Sequence, residues 1–106
     1  MTALTDELRG FVLTLPSVPF LEALLLVHGT PDQIWTAEAL AQRLYLQSVC
    51  RADAIVQELA ERGFCACTAA GQLVYSPRDA RLHGLVLQLA GVYHQKLVEI
   101  TGLVHR

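Results

Sequence analysis

A chain of 106 residues is long enough to bury roughly 65% of the surface its unfolded form exposes, so it needs neither disulfides nor a structural metal to fold as one domain. Its 53% hydrophobic content and mean hydropathy of +0.38 are high for a small domain and point to apolar surface shared with a partner; the longest purely apolar run is 23–27, far below the ~18 residues of a membrane helix. The net charge of −2 excludes a global pull toward polyanions, the acidic N-terminus lacks a leader-like pattern and is read as cytoplasmic, and three cysteines without framework spacing are read as free thiols.

Leu4, Leu8, Phe11, Val12 and Leu15 recur at helical spacing, and Pro16 stops the pattern, so the chain opens with a short amphipathic helix. Ser17 then caps a second helix with Pro19 in its first turn. Phe20, Leu21, Leu24, Leu25 and Val27 make it apolar nearly all round, which marks it as central to the core. Ile34-Trp35 is a short extended piece. Thr36 caps a helix over 37–44, with Ala39, Leu40 and Leu44 inward. After a tight connection, Ser48 caps a third helix whose Ala52, Ile55, Val56 and Leu59 form one stripe, and Gly63 closes it.

Two strands follow, over 64–68 and 73–76, joined by a turn in which Gly71 supplies the backbone angles a hairpin requires. Pro77 ends the second strand. The spacing of Leu82, Leu85, Val86, Leu89, Val92, Tyr93, Leu97, Ile100 and Leu103 predicts one long helix over 78–103. A second line, Gly84, Leu87, Gly91, His94, Val98 and Thr101, alternates three and four residues apart as in a coiled-coil seam. Two apolar lines predict a homodimer through the terminal helices, with Leu82, Leu85, Leu89, Val92, Tyr93, Leu97 and Ile100 at its interface.

The order helix, short strand, helix, turn, helix, hairpin, helix resembles the winged helix-turn-helix family of bacterial transcription regulators over about residues 19–77. The carriers are Trp35-Thr36, the TAEALAQRL helix, the SVCRADAIVQELAERGF helix and the LVYSP strand. The resemblance implies a mainly α fold with a small β-hairpin and a winged-helix core over 17–77, to which the helical spacing adds an N-terminal helix over 1–16 and a dimerisation helix over 78–106. It also implies that the helix starting at Ser48 enters the major groove of double-stranded DNA, with the loop around Gly71 as the wing.

The chemistry of that helix is thin for a DNA reader. Inward Ala52, Ile55, Val56 and Leu59 leave Cys50, Ala54, Gln57 and Glu61 at the middle of the outer face, flanked by Arg51 and Asp53. Groups able to donate to base edges are Gln47, Ser48, Arg51 and Gln57, the candidate DNA-binding residues. Over 36–63 three arginines meet four carboxylates, a balance of −1, and the AAGQ wing tip has no charge. The alternative reading is a winged-helix module that docks proteins without touching DNA.

Cys65-Ala66-Cys67 places both sulfurs on one strand face, half of a zinc site, but the four histidines show no paired ligand spacing; hairpin packing is the expected role. Cys50, beside Arg51 in a first helical turn, has the placement of a low-pKa thiol, against the plainer role of a small residue at a tolerant position. The scattered Trp35, Tyr45, Tyr75 and Tyr93 read as core with polar tips outward. No nucleophile-base arrangement, phosphate-binding glycine loop or spaced carboxylate pair occurs, so neither an enzyme, a metal nor a cofactor is expected.

Overall fold

The computed structural model describes residues 5–44, 46, 49–68, 71–93, 95 and 97–105. Helices α1 (Asp6–Leu13), α2 (Val18–Gly29), α3 (Ala37–Arg43) and α4 (Val49–Glu61) precede the strands β1 (Cys65–Cys67) and β2 (Leu73–Tyr75); α5 (Ala80–Val92) and α6 (Leu97–His105) complete the chain. The class is mainly helical with one two-stranded antiparallel sheet. No single helix among the described residues is long and apolar enough to cross a membrane.

Helix starts follow the caps written in the sequence. Side-chain oxygens of Thr5, Ser17, Thr36 and Asp79 accept from the backbone N–H of Leu8, Phe20, Ala39 and Leu82 at 3.1, 3.2, 3.1 and 2.8 Å. Each satisfies one of the donors a helix start leaves unpaired. At the far end of α2, Thr30 continues the saturation: its hydroxyl donates to the Leu26 carbonyl at 2.9 Å and accepts from Trp35 Nε1 at 3.1 Å.

Trp35 is more than an extended link. Its N–H and carbonyl bond Leu73 in both directions, at 2.8 and 2.7 Å, an antiparallel bridge that adds a third short rung beside β2. Within the hairpin Cys65 pairs with Tyr75, Ala66 with Val74 and Cys67 with Leu73. Gly71 has φ +77°, so the turn needs a residue without a Cβ penalty. Gly63, at φ +84°, ends α4, and its carbonyl accepts from Arg78 N–H.

One core joins all the helices to the sheet. Phe20, Leu21, Leu24, Leu40, Leu59, Leu73, Leu89 and Ile100 are fully buried, so α2, the α3–α4 pair, β2, α5 and α6 share it. Phe64 sits edge-on to both Phe11 and Phe20, with ring centroids 5.9 and 6.1 Å apart, which locks α1 and α2 to the end of α4. On α3 the deeply buried pair is Leu40 and Ala41, while Ala39 and Leu44 are half-buried.

The single helix expected over 78–103 is two helices. A turn in which Gln95 N–H donates to the Val92 carbonyl at 3.1 Å ends α5, and α6 packs on α1 and α2. The reason is burial: an unbroken helix of that length would span about 39 Å, comparable with the longest molecular extent of 42 Å. It would carry Ile100 and Val104 away from the body. Folded back, both are buried.

Candidate nucleic-acid interface

The α3–α4 pair is the most tightly associated pair of helices in the fold, and α4 also packs on α2 and β1. Ala52, Val56 and Leu59 are buried and Ile55 is half-buried, so the outer face of α4 carries Cys50, Arg51, Asp53, Ala54, Gln57 and Glu61, all exposed. That outcome follows from the stripe alone. Of the expected base readers, Gln47 and Ser48 lie outside the described residues. Gln57 and Arg51 are on α4, but they are not equivalent. Gln57 Nε2 donates to Asp53 Oδ2 at 3.4 Å, a long bond on an exposed helix face. Arg51 sits at the side of α4 and, with Ala54 and Glu58, borders a crevice against Pro16, Ser17 and Pro19.

Sequence reasoning counted Arg62 among the cations available to phosphate, and the structure removes it from that set. Its Nε and Nη2 donate to Glu58 Oε1 at 3.1 and 3.0 Å, and Nη1 donates to the Thr14 carbonyl at 3.0 Å. The guanidinium lies 5.7 Å from the Phe20 ring centroid. Arg62 thus ties the end of α4 to α1 and α2. The i,i+4 spacing to Glu58 was visible in the sequence; the contact with Thr14, 48 residues away, was not.

Arg43, at the end of α3, borders a groove of about 520 Å³ between α2 and α5. Leu25, Leu26, Leu44 and Ala90 form its apolar lining, and Glu22 faces it too. Burial and then the Glu22 carboxylate push the Tyr93 hydroxyl up from its ordinary pKa. Arg78 pairs with Asp79 at 3.6 Å and Arg81 with Glu7 at 3.4 Å, both on exposed surface. On the outer face of α4, Arg51 therefore stands against Asp53 and Glu61. The described part of the wing loop, Thr68, Gly71 and Gln72, brings no charge.

The cysteines divide by depth. Cys65 is buried, and burial pushes its thiol up to about 12, opposed by a backbone hydrogen bond with Ser76. Cys67 is exposed, with Sγ 3.7 Å from the Thr68 carbonyl, and Cys50 is exposed on α4. Among the described residues no group of three or more His, Cys, Asp or Glu side chains is placed to hold a metal ion.

The expected dimer interface is mostly spent inside the chain. Leu85, Leu89, Val92 and Ile100 are buried in the monomer core, and Leu82 and Tyr93 are half-buried against it. The side chain of Leu97 lies outside the described set. Among the described residues the large apolar side chains with surface to offer are Leu87 on α5, 55% exposed, Val98 on α6, 85% exposed, and Ile34 before α3, 55% exposed; the second line that joined Leu87 to Val98 in sequence assumed one unbroken helix, and the two residues stand on separate helices. Gly84 and Gly91 share that outer face of α5, and a Cβ at either would touch nothing within 4 Å. No known protein family, curated protein or solved structure matches the chain.

Proposed function

We propose that the chain is a winged helix-turn-helix domain that regulates transcription by binding double-stranded DNA as a homodimer. The observation that carries this reading is the Trp35–Leu73 bridge. With it, the order α2, short strand, α3, α4, β1, β2 closes into a small sheet behind a helix pair, and α4 presents one full face outward. In helix-turn-helix docking the second helix of such a pair lies in the major groove. Arg51 and Gln57 are then the contacts from the described part of α4, with Gln47 and Ser48 preceding it. The dimer forms through exposed apolar side chains of the terminal helices, Leu87 of α5 and Val98 of α6, in place of the core-facing stripe.

A second reading, a protein-docking module on the same scaffold, is favoured by charge. Asp53 and Glu61 flank the reading face, Arg62 is tied down, and the wing loop is neutral, whereas DNA binding draws most of its sequence-independent affinity from cations against phosphate. Electrophoretic shift with genomic fragments at low salt, paired with a pull-down of stoichiometric partners, separates the two. A shift that Arg51→Ala weakens supports the regulator. No shift, together with a recovered protein partner, replaces it with the docking module.

A further inference from the structure

Three rings from three elements meet beside the hairpin. His28 stands in the last turn of α2, Tyr75 ends β2, and His83 lies in the first half of α5. The His28 and Tyr75 rings are perpendicular with centroids 5.4 Å apart, and His83 is 5.9 Å from each. The Tyr75 hydroxyl lies 2.9 Å from His83 Nδ1. We propose that His28, Tyr75 and His83 form a proton-sensitive latch that fastens the hairpin to α2 and α5 and accepts one proton but not two.

With both imidazoles neutral, the Tyr75 hydroxyl donates to an unprotonated His83 Nδ1, whose ring carries its hydrogen on Nε2. A first proton on Nδ1 reverses this bond without breaking it, because Nδ1–H now donates to the Tyr75 oxygen. His83 is exposed, so water solvates the new charge. A second proton must go to His28, which is half-buried and faces the charged ring. Burial, and after it the neighbouring His83, already hold the His28 pKa below its ordinary value. That direction prevails although the C-terminal end of α2 favours a cation.

The surroundings supply no net anion to offset the pair. Cys65, opposite Tyr75 on β1, and Tyr75 itself are each pushed up to about 12 by burial, so both are neutral at physiological pH. Glu22 and Arg43 line the groove that His28 also borders, and they oppose each other. Asp79 caps α5 through Leu82 N–H and lies 3.6 Å from Arg78. The second proton is therefore accommodated by separating the rings, which frees β2. Because Leu73 of β2 is bonded to Trp35, the sole tryptophan reports the release.

The test follows the histidine ring resonances by NMR and the Trp35 emission in the full chain from about pH 8 to pH 5, the range in which imidazoles titrate. Expected are a His28 midpoint below 6.5 and a red shift of Trp35 emission over the same range. In His83→Gln, which keeps an acceptor for Tyr75 and sits at an exposed position, the His28 midpoint should rise and the red shift should disappear. An unchanged His28 midpoint in His83→Gln, a flat Trp35 emission in the wild type, or a red shift that persists in the variant overturns the latch. None of these readouts depends on DNA binding.

Discussion

Replacing Arg62 with alanine removes three interactions at once, and their sizes can be worked from the structure. The i,i+4 pair with Glu58 has side chains 36% and 39% exposed, so solvent screening holds its contribution to about 0.3–0.5 kcal/mol. The bond to the Thr14 carbonyl, from a charged donor at an exposed site, contributes about 1 kcal/mol. The guanidinium over Phe20 adds about 0.5–1 kcal/mol. Sharing one side chain makes these terms non-additive, so Arg62→Ala should lose about 1–2 kcal/mol in urea unfolding. Thermal unfolding should fall by about 4–8 °C per kcal/mol for a chain of this size. Arg62→Lys keeps the charge near Glu58 but not the planar stack, and should recover less than half of the loss. A stability change below about 0.5 kcal/mol, combined with a clear fall in duplex affinity, would refute the reasoning, since Arg62 would then belong to phosphate.

Further outcomes follow from burial and backbone geometry. Leu87→Asp with Val98→Asp should convert a dimer to a folded monomer in sedimentation equilibrium, whereas Leu89→Asp, which buries an unpaired charge, should unfold the chain. If the double variant remains dimeric, Leu87 and Val98 do not form the interface. Gly63→Ala should cost about 1–3 kcal/mol, because φ +84° is strained for alanine and its Cβ would sit 3.0 Å from the Arg78 Cβ; near-neutral urea unfolding contradicts this. The depressed His28 pKa makes the unfolded chain the better proton acceptor. Its share of stability is present above about pH 6.5, falls as pH drops toward the folded value, and is lost below it. Urea midpoints that stay level from pH 7.5 to pH 5.5 would remove that contribution.

Most of the fold was legible because local rules and the global packing agree. Ser17 and Thr36 cap where the pattern places them, Gly63 and Gly71 take positive φ, and the stripe of α4 puts its outer face outward; the cap at Thr5, inside the pattern that starts at Leu4, was not read. The broken last helix was harder to read. Periodicity ran on through Leu97 and Ile100, and no proline or glycine stands between Val92 and Leu97 to mark a stop. Burial takes Leu85, Leu89, Val92 and Ile100 into the chain's own core, and in sequence they look identical whether they face another copy or the same chain. Tertiary contacts such as Arg62 to Thr14, Trp35 to Leu73 and Tyr75 to His83 have no local signature. The charge deficit over 36–63 was readable throughout, and pairing Arg62 with Glu58 takes out one charge of each sign and leaves the balance at −1.

The central claim is that α4 meets DNA through few cations, and the salt dependence of duplex binding tests it most directly. Each neutralised phosphate contributes a slope of about −0.9 in log K against log salt concentration. With Arg51 on the outer face of α4 and Arg43 at the end of α3, beside the groove that Glu22 also lines, a dimer has about two such contacts and about four at most, which gives a slope no steeper than about −4. Anisotropy titration of a labelled duplex across a salt series should return a shallow slope that Arg51→Ala makes shallower by about 1–2, while Arg62→Ala leaves it unchanged. A slope steeper than about −6, or one that Arg62→Ala reduces, would contradict the account, as would the absence of any binding at low salt.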